Sequence, residues 1–149
     1  MNDSADSTLG LAADAAFTSS LLGIGRSVSL ASGLVLAIST GLWILGHPVH
    51  LIPFIGSILL ALLQGYFAQR VRFDADIFRF WANRWDGSVN PIEDLNAFDA
   101  RVGRISSDAE SVEANLAQRK HGALRLLSYQ VFSAVMQLLL MAMALRPGN

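Results

Sequence analysis

Hydrophobic residues occur in two long stretches of this chain that carry no formal charge. No Asp, Glu, Lys or Arg lies between Arg26 and Arg70. At 1.5 Å per residue, one helix of that length would reach roughly 65 Å, about twice the 30 Å of a bilayer core. The pattern therefore predicts two transmembrane helices over residues 27–69. The turn between them is GHPVH, residues 46–50, because Gly46 favours a helix end and Pro48 cannot continue the helix.

The second uncharged stretch, residues 126–145, lies between Arg125 and Arg146. About 20 residues suffice to cross a bilayer core, so this stretch predicts a third transmembrane helix. Long arginine side chains reach back to the interface, so Arg125 and Arg146 are expected at opposite edges of the membrane.

The region between spans two and three is polar and is predicted to form amphipathic helices. Its first part, RVRFDADIFRFWANRWDG (residues 70–87), places Phe78, Trp81 and Trp85 on one half of a helical wheel, as interfacial helices do. Asp74 lies within that apolar half and needs a partner, for which Arg70 one turn earlier is the nearest candidate. We expect this helix to lie on lipid or against a second helix.

The second polar-region helix is predicted to open at Asn90-Pro91, with Asn90 as N-cap and apolar residues spaced by threes and fours. A third opens at Ser107 and runs towards span three. The predicted surface for the membrane interface or for a partner comprises Arg70, Asp74, Phe78, Trp81, Trp85, Ile92, Phe98 and Val102.

The predicted fold class is an all-α integral membrane protein. Its three transmembrane helices form a tight N-terminal hairpin and a C-terminal span, with the amphipathic segment between spans two and three. The predicted regions are a tail with a possible interfacial helix (1–26), the hairpin (27–69), the amphipathic region (70–123), the third span (124–146) and a C-terminal tail (147–149).

Composition agrees with this class, because 52% of residues are hydrophobic and 15% are charged, against about 25% charged in globular chains. All twelve acidic residues lie before residue 15 or between residues 74 and 113. The net charge of −1 gives no basic surface for nucleic acid. Lys and Arg cluster near the span ends that face residues 70–123, which predicts that this region and the N-terminus are cytoplasmic and that the C-terminus lies outside. Three spans in a chain of this length resemble small bacterial inner-membrane proteins in general, so a bacterial inner membrane is the expected location.

Small residues recur at every fourth position of spans one and two, which predicts a close antiparallel contact between the two helices. The predicted ridges are Ser29, Gly33, Ala37 and Gly41 on span one, and Ser57, Ala61 and Gly65 on span two.

Span three carries a polar stripe of Gln130, Ser133 and Gln137 on one face. An amide exposed to lipid leaves donors and acceptors unpaired, so the stripe should face protein or water. Interhelical hydrogen bonding explains it simply; the alternative is a polar path for a small solute or ion.

No catalytic constellation, metal site or cofactor site is predicted, and the chain has no cysteine. The favoured function is a small non-enzymatic membrane protein, an accessory subunit or oligomerising scaffold, whose amphipathic helices dock on a partner or on the membrane surface. Its expected partners are the lipid bilayer and copies of itself or a larger membrane complex. The alternatives are a homo-oligomeric channel or transporter subunit and, less favoured, a lipid-modifying enzyme.

Overall fold

The computed structural model describes residues 3–85, 89–102 and 112–146, and all secondary structure in these ranges is α-helical. The helices are α1 (Asp3–Ile44), α2 (Leu51–Arg84), α3 (Pro91–Val102) and α4 (Val112–Ala144). Helices α1, α2 and α4 are each long and apolar enough to cross a membrane. The predicted fold class is therefore confirmed.

A tight turn joins α1 to α2 where the sequence predicts it. Gly46 has a φ of +84°, the left-handed conformation that glycine adopts at helix ends. The N–H of Gly46 donates to the Trp43 carbonyl at 3.0 Å, and that of His47 donates to the Leu42 carbonyl at 3.1 Å. These two bonds form a Schellman motif, which satisfies carbonyls that the end of α1 leaves free.

The N-terminal region does not form a separate interfacial helix. Residues 9–24, predicted to lie on the membrane surface, are the first half of the 42-residue helix α1. Ala15, Thr18 and Leu22 on this half are fully buried against the other helices. The residues of the inner face are small or moderately apolar, which lowers the amphipathic signal, so the sequence pattern did not reveal the packing.

Much of the polar region between spans two and three is a direct extension of the transmembrane helices α2 and α4. Helix α2 runs unbroken to Arg84, and α4 begins at Val112 and runs into span three. Helix α3 begins at Pro91, where the Asn90 carbonyl accepts a hydrogen bond from Asp94 N at 3.2 Å. Asp86-Gly87 is a turn dipeptide that predicts the end of the first polar-region helix, and Ser107 is the predicted start of the third; both sites lie outside the described residues.

Helices α1 and α4 run parallel in a constant register. The side chain of Gln130 bonds to Gly25, and that of Gln137 bonds to Ser32 seven residues further along both helices. A methyl group added at Gly25 would also meet Val71 of the antiparallel α2 at 3.1 Å. A seven-residue period that is kept by packed helices is the signature of coiled-coil packing.

Stepping seven residues at a time in both directions along α1, α2 and α4 gives five levels, each with one residue from each helix. We call these fifteen residues the heptad core. All of its members are buried except Leu11, which is half-buried. They are Leu11, Thr18, Gly25, Ser32 and Ser39 on α1; Trp85, Phe78, Val71, Gln64 and Ser57 on α2; and Leu116, Ala123, Gln130, Gln137 and Ala144 on α4.

The composition of the heptad core changes along the bundle. Towards the α1–α2 turn, which we call the turn end, it is built from Ser, Gln, Gly and Ala. Towards the other end, the charged end, Leu, Phe and Trp dominate. Helices in lipid associate through small and polar residues, whereas helices in water bury apolar ones. This change is the one expected of a bundle that leaves a bilayer partway along its length.

The first formal charges lie at the same level as this change. Arg26 and Arg70 are adjacent to Gly25 and Val71, which share one level of the heptad core, and Arg125 lies close by on α4. From these arginines to the turn end, each helix runs for about 18–20 residues, or roughly 30 Å. That uncharged length matches the thickness of a bilayer core.

Candidate functional site

Three glutamine side chains bind the backbone of α1 inside the uncharged half of the bundle. Gln130 Nε2 donates to the Gly25 carbonyl at 2.6 Å, and Gln64 Nε2 donates to the Val28 carbonyl at 3.3 Å. Gln137 Nε2 donates to the Ser32 carbonyl at 3.3 Å, and the Ser32 hydroxyl donates back to Gln137 Oε1. Residues 25, 28 and 32 share one face of α1, so both neighbouring helices are hydrogen-bonded to that face.

Two glycines allow close approach between helices in this half. At Gly25, an added Cβ would lie 2.7 Å from Gln130 Oε1, and at Gly56 it would lie 2.9 Å from Leu140 Cδ1. Both distances are below normal van der Waals contact, so even alanine requires the end of the neighbouring side chain to move. At Gly25 an added methyl would also lie 3.1 Å from Val71 Cγ1 and 3.3 Å from Leu127 Cδ1, so this position is the more crowded of the two.

The interior also holds polar atoms without a hydrogen-bond partner among the described residues. In the uncharged half these are Ser57 Oγ, Gln64 Oε1 and Gln130 Oε1. Each glutamine uses its amide nitrogen on α1 and leaves its oxygen buried. A buried polar atom without a partner destabilises the fold in an apolar environment. The hydrogen bonds that these amides do donate are therefore needed to offset that loss.

The polar stripe on α4 therefore lies between helices. Gln130, Ser133 and Gln137 are all buried, and the Ser133 hydroxyl donates to the carbonyl of Tyr129 on its own helix at 2.8 Å. Each of the two amides donates a hydrogen bond to the backbone of α1, so the stripe contributes to the association of α4 with α1.

An aromatic cluster fills the core at the charged end. The rings of Trp81 and Trp85 stack with centroids 5.6 Å apart and planes 10° apart. Phe98 of α3 meets the Trp81 ring edge to face at 5.5 Å, and Phe78 does so at 5.6 Å. Aromatic pairs with this geometry stabilise beyond the area they bury, so the cluster fixes α3 to α2.

Arg119 of α4 binds this cluster through charge and through its guanidinium plane. Its Nη2 donates to Asp99 of α3, and its Nε donates to Asn115 Oδ1 at 2.7 Å. Its guanidinium carbon lies 5.6 Å from the ring centroids of both Trp81 and Phe98. The Arg119 and Asp99 side chains are only 13% and 4% exposed, so the pair is a buried connection between α3 and α4.

Three further polar contacts lie at the charged end. Asp94 of α3 accepts a hydrogen bond from Trp85 Nε1 at 3.3 Å and lies 3.1 Å from Arg84 Nε. Lys120 Nζ of α4 donates to Asp14 of α1 at 2.5 Å. Together with the Arg119–Asp99 pair, these contacts connect all four helices on the side where the sequence carries its acidic residues.

Four of the eight residues predicted for the membrane interface or for a partner pack in the interior. Phe78, Trp81 and Trp85 are buried, so these three side chains are unavailable to lipid or to a partner, and Phe98 is half-buried against Trp81. The reason is that α1 and α4 extend beyond the uncharged half and cover this face of α2.

The other members of that predicted surface divide into two groups. Arg70 is exposed and Asp74 is half-buried on α2; their pairing stays a prediction. Ile92 and Val102 belong to α3, but their side chains lie outside the described residues.

The predicted ridge of small residues is not the contact between α1 and α2. Gly33, Ala37 and Gly65 are exposed, and added methyls at Gly33, Gly41 and Gly65 would meet nothing within 4 Å. Residues spaced by fours advance about 40° per step, so a ridge of four covers roughly 120° of a helix. Of the predicted residues, Ser57 alone is fully buried, whereas Ser29, Gly41 and Ala61 are half-buried.

The residues that carry the packing were not predicted from the sequence. Gln64, Ser32 and Gly25 were not singled out, nor were Arg119 and Asp99. A signal for the first group exists: polar or glycine residues recur at sevens in spans one and two. No local signal pairs Arg119 with Asp99, because the two residues are 20 positions apart and belong to different helices.

The outward face of α2 carries a second heptad pattern, which is exposed. Leu59, Tyr66, Phe73 and Phe80 recur at sevens and are 62%, 60%, 60% and 52% exposed. We call these four residues the outer seam. On a helical wheel they lie opposite the heptad core, so no helix among the described residues covers them.

Comparison with protein-family models, with curated proteins and with solved structures found no match for this chain.

Proposed function

We propose that this chain is a non-enzymatic membrane scaffold that self-associates through the outer seam. The observation that carries the proposal is the continuation of the seam past the uncharged half. Phe80 lies ten residues beyond Arg70, or about 15 Å along the helix. The headgroup region extends roughly 5–8 Å beyond each side of the core, so a bilayer would not cover this ring.

A second copy of the chain is the partner that fits this geometry. Copies that are inserted with the same orientation and related by a two-fold axis along the membrane normal present parallel α2 helices to each other. Each contact residue then meets the same residue of the other copy, and such contacts recur every seven residues. The outer-seam residues have this spacing. Exposed apolar residues that recur along one helix face form a continuous patch. Such a patch indicates a contact site, whereas single exposed apolar residues do not.

The polar residues of the spans support a structural role for the bundle. Gln64, Gln130 and Gln137 are used to hold α2 and α4 on α1, and Arg119 holds α3. The polar side chains that could otherwise take part in binding or chemistry therefore hold the helices together. The outer surfaces of the bundle remain as the sites of recognition.

Disulfide cross-linking tests the proposal, since the chain has no native cysteine. Phe80→Cys should give a covalent dimer on mild oxidation in membranes. Phe17→Cys is the matched control: it replaces an exposed phenylalanine at a similar distance beyond Arg26, but on α1. Little dimer is expected from it.

Loss of the seam should shift the oligomeric state. The double variant Phe73→Ser/Phe80→Ser should be monomeric in mild detergent when the wild type is dimeric, whereas Phe17→Ser should remain dimeric. Equal cross-linking of Phe80→Cys and Phe17→Cys, or a wild-type monomer at high protein concentration, would contradict self-association. A cross-link from Phe80→Cys to a different protein would instead support an accessory subunit.

A further inference from the structure

The turn end of the bundle contains an open pocket of about 510 Å³. It lies where α2 begins and α4 ends, and the His50 backbone N–H donates to the Ala144 carbonyl at 2.9 Å beside it. This level is one uncharged helix length, roughly 30 Å, from Arg26, Arg70 and Arg125. The pocket is therefore at the expected headgroup level of the opposite leaflet. Its lining residues are His50, Leu51, Ile52, Pro53, Met143 and Arg146.

Arg146 is a charge without an acidic side chain to neutralise it at this end. The sequence has no Asp or Glu between Asp14 and Asp74, and none after Glu113. The described acidic residues all lie at the charged end. An arginine at the edge of a low-dielectric layer is stabilised strongly by an anion, and guanidinium binds phosphate in a two-pronged geometry.

Apart from Arg146 and His50, the residues that line the pocket are apolar. Ile52 and Met143 are 85% and 60% exposed and form part of its surface next to the arginine. A cation beside an exposed apolar floor matches a molecule with an anionic head and a hydrocarbon tail. The first turn of α2 lines the same pocket and has no side-chain cap, so its partial positive charge adds to that of Arg146.

We infer that this pocket binds an anionic glycerophospholipid. The phosphate contacts the Arg146 guanidinium, and His50 is the second polar residue that lines the pocket. The upper part of an acyl chain lies over Ile52 and Met143. Net negative lipids are preferred over zwitterionic ones, because a zwitterionic headgroup supplies its own cation for the phosphate.

Native mass spectrometry of the full chain, delipidated in mild detergent, tests this site. The probes are phosphatidylglycerol, phosphatidylcholine with the same acyl chains, and inorganic phosphate. Phosphatidylglycerol should be retained about tenfold more strongly than phosphatidylcholine, and Arg146→Gln should remove that preference. Arg79→Gln is the control, since it removes an exposed arginine about 14 Å beyond Arg70 at the charged end.

A second variant tests the contribution of the apolar lining residues separately from that of the Arg146 charge. Met143→Trp fills the pocket and retains Arg146, and it should also lower phosphatidylglycerol retention several-fold. Equal retention of both lipids by the wild type, or an unchanged preference in both pocket variants, would overturn the inference. Competition by millimolar inorganic phosphate as strong as that of the lipid would show a simple anion site and would overturn the lipid assignment.

Discussion

Gln130 Nε2 donates to the carbonyl oxygen of Gly25 at 2.6 Å, and a methyl group at Gly25 would lie 2.7 Å from the oxygen of the same amide. The glycine thus provides both the acceptor and the space that the glutamine needs. This pair lies at the level where the heptad core changes from polar to apolar, next to Arg26.

Gly25→Ala should therefore destabilise the bundle by about 1–2 kcal/mol, because it displaces Gln130 and crowds Val71. Reversible unfolding by SDS in mixed micelles, followed by far-UV circular dichroism, measures the difference. Gly33→Ala is the matched control on the same helix, since open space surrounds its position. An equal loss of stability in the two variants would show that Gly25 has no special contact.

Gln137→Leu should lower the free energy of unfolding by about 1 kcal/mol, because it removes the hydrogen bonds exchanged with Ser32. Adding Ser32→Ala should recover part of the loss, since the serine hydroxyl then no longer needs a partner. Ser133→Ala should have a smaller effect, because that hydroxyl bonds within its own helix. Strict additivity of Gln137→Leu and Ser32→Ala would show that the two side chains are not coupled.

Asp99→Ala should destabilise the charged end by about 3 kcal/mol, because it leaves the buried Arg119 guanidinium without its carboxylate. Tryptophan fluorescence reports the loss, since Trp81 and Trp85 lie in the same cluster. Asp76→Ala provides the comparison: its contact with Arg79 is 3.6 Å long, both side chains are more than 60% exposed, and less than about 1 kcal/mol is expected. Similar effects of the two variants would contradict the buried role of Asp99.

The sequence was sufficient to predict the three long apolar helices and the turn at Gly46, because these depend on local composition and on backbone preferences. It was also sufficient to show that the amides of span three needed a protein environment. It did not predict which helix faces meet, because that depends on register. The small residues at every fourth position were conspicuous, whereas the heptad core mixes Gly25 and Ser32 with Phe78 and Trp85 and has no uniform chemistry.

The tryptophan-rich stretch at residues 70–87 shows the same limit. Amphipathicity identified an apolar half on α2, but it did not distinguish the buried Trp81 from the exposed Phe80. That distinction depends on the extension of α1 and α4 beyond the uncharged half and on the position of α3, neither of which can be predicted from residues 70–87 alone.

The central claim is that the uncharged half of the bundle crosses a membrane and that the two ends lie on opposite sides. Three single-cysteine variants on α1 test it directly with a membrane-impermeant maleimide: Phe17→Cys, Leu34→Cys and His47→Cys. All three native side chains are exposed on one continuous helix or the turn that follows it. In intact cells His47→Cys should be labelled, Phe17→Cys should be labelled only after lysis, and Leu34→Cys should react in neither case. Labelling of Leu34→Cys in unlysed cells, or of Phe17→Cys and His47→Cys from the same side, would contradict the account.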